Sequence, residues 1–458
     1  MLSIFNSLTR QQEDFIPIEP NKIRMYVCGM TVYDYCHIGH ARSLIAFDMI
    51  RRYLMHKGFD VHFVRNITDI DDKIIKRANE RGITIHELTD EFINAMHEDC
   101  AKLNVLTPDS EPRATDAIAG MIELIEGLIS KGLAYAVPDG DVYYRVRSFK
   151  DYGKLSNQNI DELRSGERVE VQSDKEDPLD FVLWKRAKAG EPYWESPWGQ
   201  GRPGWHIECS VMSKETLGNH FDIHGGGMDL KFPHHECEIA QSEGYHEEPM
   251  ANYWMHNGFI NINNEKMSKS LGNFFTIRDV LKYFPAEVLR FFMLNSHYRT
   301  HVNYSDDLLN QAWNGLRRLY TALNDAPEAL PAFDPNHPIA VRFSEVMDDD
   351  FNTPQAIDLL FEAANLYNKH HDPKDYVVLK TLGNVLGLLE ANPDHFLKSA
   401  PNQSDDDTDL IEALIAERNE ARANKNWAES DRIRDELKAR NVVLEDKQGK
   451  TTWRRETQ

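Results

Sequence analysis

The chain has 458 residues, of which 41% are hydrophobic, 10% aromatic and 28% charged. This composition is typical of a globular protein of about three domains, and it excludes disordered chains, collagen and coiled-coil rods. The 52 basic and 74 acidic residues give a net charge of −22, which argues against non-specific coating of nucleic acid. Residues 408–458 contain equal numbers of basic and acidic residues, so the acidic excess lies in residues 1–407.

The hydrophobic runs and the cysteines predict the compartment. No apolar run approaches the roughly 18 to 20 residues that a membrane span requires. Residues 1–15 also lack the basic-then-apolar pattern of a signal peptide. We therefore expect a soluble, cytoplasmic protein without a membrane segment. The cysteines are few, odd in number and widely spaced, which favours reduced thiols or metal ligands over a disulfide framework. They are Cys28, Cys36, Cys100, Cys209 and Cys237.

Residues 23–64 have the pattern of a βαβ unit. Hydrophobic residues alternate over 23–27 and predict a strand that ends at a turn formed by Cys28 and Gly29. Helical spacing over 44–54 predicts a helix that stops near Gly58, and residues 61–64 predict the next strand. Such units build doubly wound parallel sheets, so we expect an α/β fold that binds ligands beyond the carboxyl ends of its strands.

Two polar segments further along the chain predict linkers. Residues 324–338 are rich in Pro and Asp, and residues 400–408 are polar and acidic. Between them, Thr353 is expected as a helix N-cap and Pro354 as the first helical residue, and a second helix is expected over 378–389. The sequence therefore predicts a helical bundle at about 305–400, followed by a small mixed domain.

Two short segments have the residue types that bind phosphate. His37-Ile38-Gly39-His40 lies where the predicted loop meets the predicted helix, and a helix N-terminus favours an anion. Far from it in sequence, Lys266-Met267-Ser268-Lys269-Ser270 places two ammonium groups on a polar segment that could close on a triphosphate. Taken alone, each segment is also compatible with an ordinary surface loop.

In this order the two segments, HIGH and KMSKS, resemble the paired signatures of the class I aminoacyl-tRNA synthetases. Both match without substitution. The resemblance implies that His37, Gly39 and His40 contact ATP and that Lys266 and Lys269 close on its phosphates. It also implies the reaction, in which an amino-acid carboxylate attacks the α-phosphate of ATP and the resulting adenylate is transferred to a tRNA ribose.

A second set of residues has the composition of a metal site. Cys28 follows the first predicted strand, Cys209 lies in the segment GWHIECS, and residues 234–238 read HHECE. Zinc takes four Cys, His or carboxylate ligands, and helical spacing places His234 on one face with both Cys237 and Glu238. The residues therefore offer Cys28, Cys209 and His234 with either Cys237 or Glu238. Two buried apolar cysteines and a polar helix start remain the alternative.

The segments YVCGMTVYD (26–34), NITDIDDKI (66–74), GWHIECS (204–210) and GGGMDLKFPHHE (225–236) are similar to those of the cysteinyl-tRNA synthetases, and the similarity covers most of the chain. It implies a zinc ion in the amino-acid pocket, with Cys237 as a bystander. The implied metal ligands are Cys28, Cys209, His234 and Glu238. The implied cysteine-binding residues are Cys28, Gly29, Thr68, Trp205 and His234, and those near the ATP ribose are Gly227 and Asp229.

Each of the last assignments has a simpler alternative. Thr68 could cap the following segment, Trp205 could be a core residue, and residues 225–227 could be only a glycine turn. The zinc assignment has a physical basis, since shape separates cysteine poorly from serine, whereas a metal binds a thiolate better than a hydroxyl. The resemblance further implies ATP with Mg²⁺, L-cysteine and tRNA(Cys) as partners, and a monomer.

The resemblance also implies a division of the chain. A Rossmann-like doubly wound catalytic domain is expected at 1–240, with a connective insertion at about 105–200, and a linking region with KMSKS at 241–305. A helical anticodon-binding domain at 306–400 and a small tRNA-binding domain at 408–458 follow. The last domain holds Trp427 and Trp453, and we expect both in its core because about 50 residues need their aromatic side chains inside.

Two other functions are compatible with parts of the sequence. One is an ATP-dependent cysteine ligase with a non-tRNA amine acceptor, such as an amino sugar, but such enzymes lack the full anticodon-binding portion. The other is a non-enzymatic, zinc-stabilised RNA-binding protein, which leaves HIGH and KMSKS unexplained.

Overall fold

The computed structural model describes residues 1–163, 174–266, 275–399, 405–447 and 449–455. Its strands are β1 (Ser3–Asn6), β2 (Gln11–Asp14), β3 (Lys22–Val27), β4 (Asp60–Arg65), β5 (Ala134–Ala136), β6 (Val142–Tyr144), β7 (Phe181–Arg186), β8 (Gly201–Pro203), β9 (Phe221–Gly227), β10 (Ala251–Asn257), β11 (Ile260–Ile262), β12 (Glu265–Lys266), β13 (Val302–Tyr304), β14 (Val442–Lys447) and β15 (Lys450–Arg455). Its helices are α1 (Ile38–His56), α2 (Asp72–Arg81), α3 (Ile85–Lys102), α4 (Ile118–Ser130), α5 (Ile160–Leu163), α6 (Trp205–Leu217), α7 (Glu236–His246), α8 (Ile277–Leu281), α9 (Ala286–Leu294), α10 (Asp306–Leu323), α11 (Pro338–Asp348), α12 (Thr353–His370), α13 (Pro373–Val385), α14 (Pro393–Lys398), α15 (Asp405–Ala423) and α16 (Trp427–Ala439). Shorter helical turns occupy Ala114–Asp116, Val146–Ser148, Met228–Leu230 and Lys231–His235.

A four-stranded parallel sheet lies at the centre, with the strand order β10-β9-β3-β4. Met25 in β3 is paired with Phe63 in β4 on one side and with Ile223 in β9 on the other. The chain leaves β3 towards β4 and leaves β9 towards β10, so its direction switches between the two central strands. Open α/β sheets bind ligands beyond the carboxyl ends of their strands at such a point.

The predicted βαβ unit is present as β3, α1 and β4. The helix begins earlier than its hydrophobic spacing indicates, at Ile38, because the His37 side chain caps its first turn. It ends at His56, two residues before Gly58, whose φ of +91° is in the left-handed region that stops helices. The predicted α/β fold class is therefore confirmed.

The segment between β4 and β9 adds a second sheet. Strands β5, β6, β7 and β8 form an antiparallel sheet in chain order, packed with α4 and α6 in a core that also includes one face of the central sheet. The central sheet itself extends past residue 240, where the sequence analysis places a domain boundary. The difference arises because residue 240 falls inside α7, the helix that joins β9 to β10.

Helices α10 to α14 form a bundle where one is predicted. The N-cap of α12 is Asn352, whose side chain accepts a hydrogen bond from the Gln355 amide at 3.3 Å. Thr353 is the first helical residue, so its prediction as the N-cap is wrong by one position. In the part of the chain that the structure describes, the helices are too short or too polar to cross a membrane.

The C-terminal residues fold as α15, α16 and the hairpin β14–β15. Trp453 is 4% exposed and packs in the small core of this unit, as predicted. Trp427 is 60% exposed, and its prediction as a core residue is wrong. It is the first residue of α16, whereas the buried face of that helix is supplied by Ile433 and Leu437 further along.

A buried ion-pair cluster joins the α/β domain to the helical bundle. Asp48 of α1 accepts hydrogen bonds from Arg290 Nη2 at 2.6 Å and from Arg52 Nε at 2.8 Å. Arg290, in α9, also donates to the carbonyls of Leu103 at 3.1 Å and Leu386 at 3.0 Å. Burial raises the pKa of the Asp48 carboxyl, but the two guanidinium groups more than compensate and hold its pKa below the usual range.

We expect Asp48→Asn to lower the free energy of unfolding at pH 7 by about 3 to 5 kcal/mol, because it leaves the buried Arg290 without a counter-charge. The folded-state pKa of Asp48 is depressed, so its stabilisation is present at neutral pH and is lost as the pH falls below about 4. Urea unfolding at pH 7 and at acidic pH measures both effects. Asp358→Asn, on the exposed face of α12, is the matched control and should change little. A loss below about 1 kcal/mol in Asp48→Asn contradicts the assignment.

Candidate active site and metal centre

A cavity of about 470 Å³ opens at the carboxyl ends of β3 and β9. Its wall is formed by the turn after β3, the start of α1, the end of β9 and the segment after β10. Eight of the candidate site residues line it: Cys28, Gly29, His37, Gly39, His40, Trp205, Gly227 and Asp229. The fold therefore brings five of the candidate ATP-binding residues and part of the candidate amino-acid pocket into one cavity.

The first signature motif forms the N-terminus of α1 at this cavity. His37 Nδ1 accepts a hydrogen bond from the His40 amide at 3.3 Å, and His40 Nδ1 accepts one from the His37 amide at 3.2 Å. The two rings stack with their centroids 3.6 Å apart. This reciprocal cap fixes both imidazoles at the positive end of a 19-residue helix, a position that favours a phosphate.

The second motif is only partly within the described residues. Lys266 is the last residue of β12, and Lys269 lies outside the described residues. The chain that follows the motif is paired with the first motif, since the Ile38 amide donates to the Phe275 carbonyl at 3.1 Å and the Ile277 amide donates to the Cys36 carbonyl at 2.8 Å. These two bonds hold the flank of the second motif beside the start of α1.

Glycines allow close packing around the cavity. A Cβ atom at Gly29 would lie 1.6 Å from the carbonyl oxygen of Asn66, so only glycine fits beside the segment that follows β4. A Cβ at Gly225 would lie 2.4 Å from the Phe47 ring of α1. Residues 225–227 are the last three of β9, so the interpretation of this triplet as only a turn is wrong.

Four of the candidate metal ligands meet in the structure. Cys28, Cys209, His234 and Glu238 place ligand atoms within 4.8 Å of one another. The Cys28 and Cys209 sulfurs are 3.6 Å apart, and Glu238 Oε1 lies 3.3 Å from Cys28 Sγ and 2.9 Å from His234 Nε2. Cys237 is outside this group, because its sulfur lies 3.5 Å from the Tyr152 hydroxyl on the other side of α7.

Three histidines that were not among the residues predicted from sequence contact this group directly or through one another. His224 Nε2 lies 2.6 Å from Glu238 Oε2, and His235 Nε2 lies 3.3 Å from Cys28 Sγ. His235 Nδ1 is in turn 2.8 Å from His256 Nε2. Cys28, His224, His235 and Glu238 form a second group with the spacing of metal ligands. Only His235 stands inside the quoted motifs, and His224 directly precedes one of them, but spacing alone did not distinguish either from its neighbours.

The electrostatics of the group favour ionisation of Glu238 and Cys209 but not of Cys28, because burial, Cys209 and Glu238 raise the pKa of the Cys28 thiol well above its usual range. Burial raises the pKa of Glu238, but His224 and His234 overcome this effect and hold its pKa well below the usual range. Burial likewise opposes ionisation of Cys209, but the Cys28 hydrogen bond helps to lower its pKa to about 6. Glu238 raises the pKa of His234 to about 10 against the effect of burial. Buried anions of this kind are the donors that a cation prefers.

Two further candidate residues lie against this group. Trp205 stacks on His234 with ring centroids 4.1 Å apart, is 39% exposed and lines the cavity, so it is not a core residue. Thr68 is buried, and its hydroxyl donates to Glu208 Oε2 at 3.0 Å instead of capping α2, whose N-cap is Asp71. The backbone of Thr68 is paired with that of Thr31, which lines the cavity.

Comparisons with known proteins agree with this geometry. Residues 14–314 match the family described as tRNA synthetases class I (C) catalytic domain, residues 342–390 match the DALR domain, and residues 405–454 match the cysteinyl-tRNA ligase anticodon binding domain. The cysteine–tRNA ligase of Chromobacterium violaceum is 61% identical over 458 residues, which cover 99% of this chain and 100% of that protein. This chain belongs to the cysteine–tRNA ligase family.

Other relatives agree with this membership. The cysteine–tRNA ligase of Methylococcus capsulatus is 59% identical over the whole of both chains, and that of Laribacter hongkongensis is 60% identical over 99% of this chain and 100% of its own. Among solved structures, the methionyl-tRNA synthetase of Mycobacterium tuberculosis with methionyl-adenylate has a TM-score of 0.55 at 15% identity, covering 83% of this chain and 92% of that one. The LeuRS complex of Agrobacterium radiobacter K84 has a TM-score of 0.58 at 13% identity, covering 84% and 86%. These structures share the fold of the ligase family.

We expect Gly29→Ala to lower the free energy of unfolding by about 3 kcal/mol, because the added Cβ overlaps the Asn66 carbonyl and the backbone must shift. Gly315→Ala in α10 is the matched control, since its Cβ would meet only ring atoms at 3.3 Å and alanine favours the helix. We expect it to change the free energy of unfolding by no more than about 1 kcal/mol. Urea unfolding of both variants measures the difference. Equal stability of the two variants contradicts the close approach at Gly29.

Proposed function

We propose that this chain activates L-cysteine with ATP to cysteinyl-adenylate and transfers the cysteinyl group to the 3′ end of tRNA(Cys). One observation carries the proposal: Cys28 belongs both to the four-residue group of metal-type donors and to the lining of the cavity at the N-terminus of α1. A thiol-binding group and a phosphate-binding helix end thus face one cavity. That arrangement would hold the cysteine side chain and the ATP phosphates side by side.

The donor set fits zinc, which takes thiolate, imidazole and carboxylate ligands in a tetrahedral site. We assign one Zn²⁺ ion per chain to Cys28, Cys209, His234 and Glu238. Bound there, the ion would take the thiolate of cysteine as a fifth ligand, and a thiolate binds it better than the hydroxyl of serine does. The second group shares Cys28 and Glu238 but has only one thiol, so His224 and His235 act as the supporting partners that orient these two ligands.

Each part of ATP is assigned to residues that line the cavity. His37, Gly39 and His40 receive the phosphates at the positive end of α1. Gly227 and Asp229 are assigned to the ribose, since the glycine leaves room for the Asp229 carboxylate, which would lie 2.4 Å from a Cβ at that position. These assignments place the α-phosphate between the start of α1 and the donor group that receives the cysteine side chain.

The activation step needs positive charge at the leaving pyrophosphate. As the cysteine carboxylate attacks the α-phosphate, negative charge builds on the β- and γ-phosphates, and groups that face it lower the barrier. We assign Lys266 and Lys269 to this role, with Mg²⁺ bound to the phosphates. The support is the match of the motif and the pairing of Phe275 and Ile277 with the start of α1.

The amino-acid pocket is assigned to residues beside the metal group. Trp205 stacks on the His234 ring and lines the cavity. Gly29 is held by a hydrogen bond from its amide to Asn66 Oδ1 at 2.8 Å. Thr68 is fixed by Glu208, so the pocket is held by hydrogen bonds from outside the cavity. With these residues held in place, the thiol of a bound cysteine would face the donor group.

The C-terminal parts are assigned to tRNA. Trp427 offers an exposed aromatic face on which an unpaired base can stack, and this unit lacks the acidic excess of residues 1–407. A cysteine ligase with a small amine acceptor does not explain this domain, and a non-enzymatic RNA-binding protein does not explain the cavity. We further expect a cytoplasmic monomer without membrane attachment.

The first test is amino-acid-dependent exchange of labelled pyrophosphate into ATP, with cysteine and serine compared on protein of known zinc content. We expect exchange with cysteine alone, lost on chelation and restored by zinc, because the thiol must reach a metal-held site. Charging of tRNA(Cys) measured in parallel identifies the acceptor. Exchange with serine at a comparable rate, or none with cysteine, contradicts the proposal.

A pair of cysteine variants tests the ligand set. We expect Cys209→Ser to lose zinc and cysteine-dependent exchange together, because one of two thiolates is replaced by a poor zinc ligand. Cys237→Ser, equally buried but outside the group, should keep one zinc per chain. Metal analysis of the two purified proteins separates the outcomes, and a Cys209→Ser protein that retains both properties excludes this ligand set.

A further inference from the structure

The carboxylate of Asp350 lies at a buried junction between three parts of the molecule. These are the helical bundle, strand β1 and the turn at residues 295–301, which joins α9 to β13 and is called here the α9–β13 turn. Asp350 is 2% exposed. Its Oδ1 accepts hydrogen bonds from the Tyr298 hydroxyl at 2.6 Å and the Phe5 amide at 3.0 Å, and its Oδ2 accepts one from Arg299 Nε at 2.7 Å. The Asp350 carbonyl lies 2.8 Å from His297 Nε2.

The backbone at this junction is unusual. Asp350 and Phe351 have φ angles of +51° and +56°, in the left-handed region that residues other than glycine seldom occupy. The Asp350 amide donates to the Ser3 carbonyl at 3.0 Å, and the buried Phe351 ring packs edge-on against Tyr298 with centroids 6.2 Å apart. Such conformations persist where the surroundings hold them and cluster at functional positions. Here the conformation directs the Asp350 carboxylate at the α9–β13 turn.

The opposite side of the same turn is held by the helix that begins with the first signature motif. Arg42 of α1 is 2% exposed and follows His40 by two positions. Its Nη2 donates to the carbonyls of His297 at 2.6 Å and Thr300 at 3.0 Å, and its Nη1 donates to that of Met293 at 2.6 Å. The turn is therefore clamped between Asp350 and α1.

The turn also leads directly to the strand that supports the second motif. Residues 302–304 form β13, which pairs in parallel with β11, and β11 pairs with β12, which ends at Lys266. The register places Asn261 opposite both Asn303 and Lys266. A shift of the α9–β13 turn would therefore move the β11–β12 hairpin relative to the N-terminus of α1.

We propose that Asp350 is a positioning residue for cysteine activation. By holding the α9–β13 turn, it sets the distance between the start of α1 and the hairpin that carries Lys266, although it contacts neither substrate. The residues of the cavity, and not Asp350, contact the reacting groups of ATP and cysteine. This inference rests on the proposed binding of the ATP phosphates between the two motifs, since only then does their spacing control the activation rate.

The cysteine pocket is anchored independently of Asp350. Asn6 follows Phe5 and holds the end of β1 to β10, because its Nδ2 donates to the Asn252 carbonyl at 2.8 Å and its Oδ1 accepts from the Trp254 amide at 3.0 Å. Ser7, the next residue, lies 2.7 Å from His256 in the chain of histidines behind Cys28. Loss of the Asp350 contacts should therefore leave the amino-acid pocket in place.

The test is Asp350→Asn in the full-length protein, assayed by pyrophosphate exchange. The amide removes the charge that pairs with Arg299 and one of the two accepting oxygens. We expect kcat to fall about tenfold or more, because small displacements of aligned groups are costly, while the KM for cysteine changes less than about twofold. Tyr298→Phe removes one hydrogen bond to the same carboxylate and keeps the ring, so it should lower kcat in the same direction and tests the inference if Asp350→Asn does not fold.

Asp349→Asn is the matched control. Its carboxylate accepts a hydrogen bond at 2.7 Å from the exposed Gln12 side chain and makes no contact with the α9–β13 turn, so exchange should match that of the wild type. Wild-type kcat in both Asp350→Asn and Tyr298→Phe overturns the inference. So does a fall in kcat matched by an equal rise in the KM for cysteine, which indicates general loosening. Absence of cysteine-dependent exchange in the wild type overturns the proposed function, and this inference with it.

Discussion

The site depends on the parallel alignment of two adjacent strands, β3 and β9, from which the chain leaves in opposite directions. Because both strands end at the same edge of the sheet, residues far apart in sequence meet there: the turn after β3 supplies Cys28, and the segment after β9 supplies Asp229. The helix α1 begins beside the same edge and directs its positive end at the cavity. An antiparallel arrangement would place these residues at opposite ends of the sheet.

Within that frame, the buried carboxylate of Glu238 organises the donor group. It lies between His224 and His234, and its Oε1 lies 3.3 Å from Cys28 Sγ. A charge taken out of water is tolerated only when it is paired and hydrogen-bonded, and the two imidazoles provide those contacts. The histidines behind the group hydrogen-bond to its donor atoms and so keep them oriented, as supporting residues do around a metal site.

The helical bundle is held to the α/β domain by buried arginines and aspartates, not by apolar packing alone. Arg42 and Asp48 of α1 are bonded to α9, and α9 and the turn after it are bonded to the bundle, since Arg290 donates to the Leu386 carbonyl and Asp350 accepts from Arg299. Buried hydrogen bonds have strict geometry, so they define a distance and an angle where hydrophobic contacts would allow sliding. An enzyme that places its tRNA-binding parts on the same chain as its activation site can use such a rigid joint.

The sequence by itself determined the local features: the βαβ unit, the helical bundle, the segments that resemble the ligase family, and the residues from which the site is built. These depend on hydrophobic periodicity and on motifs of a few residues, which are contained in short stretches of chain. Only the tertiary structure distinguished residues that have the same type or spacing in the local sequence. Cys237 and Glu238 both share a helix face with His234, but long-range packing places the first against Tyr152 and the second beside Cys28. Trp427 and Trp453 differ in the same way. Trp453 is buried by residues distant in sequence, whereas Trp427 is exposed because that packing does not reach it.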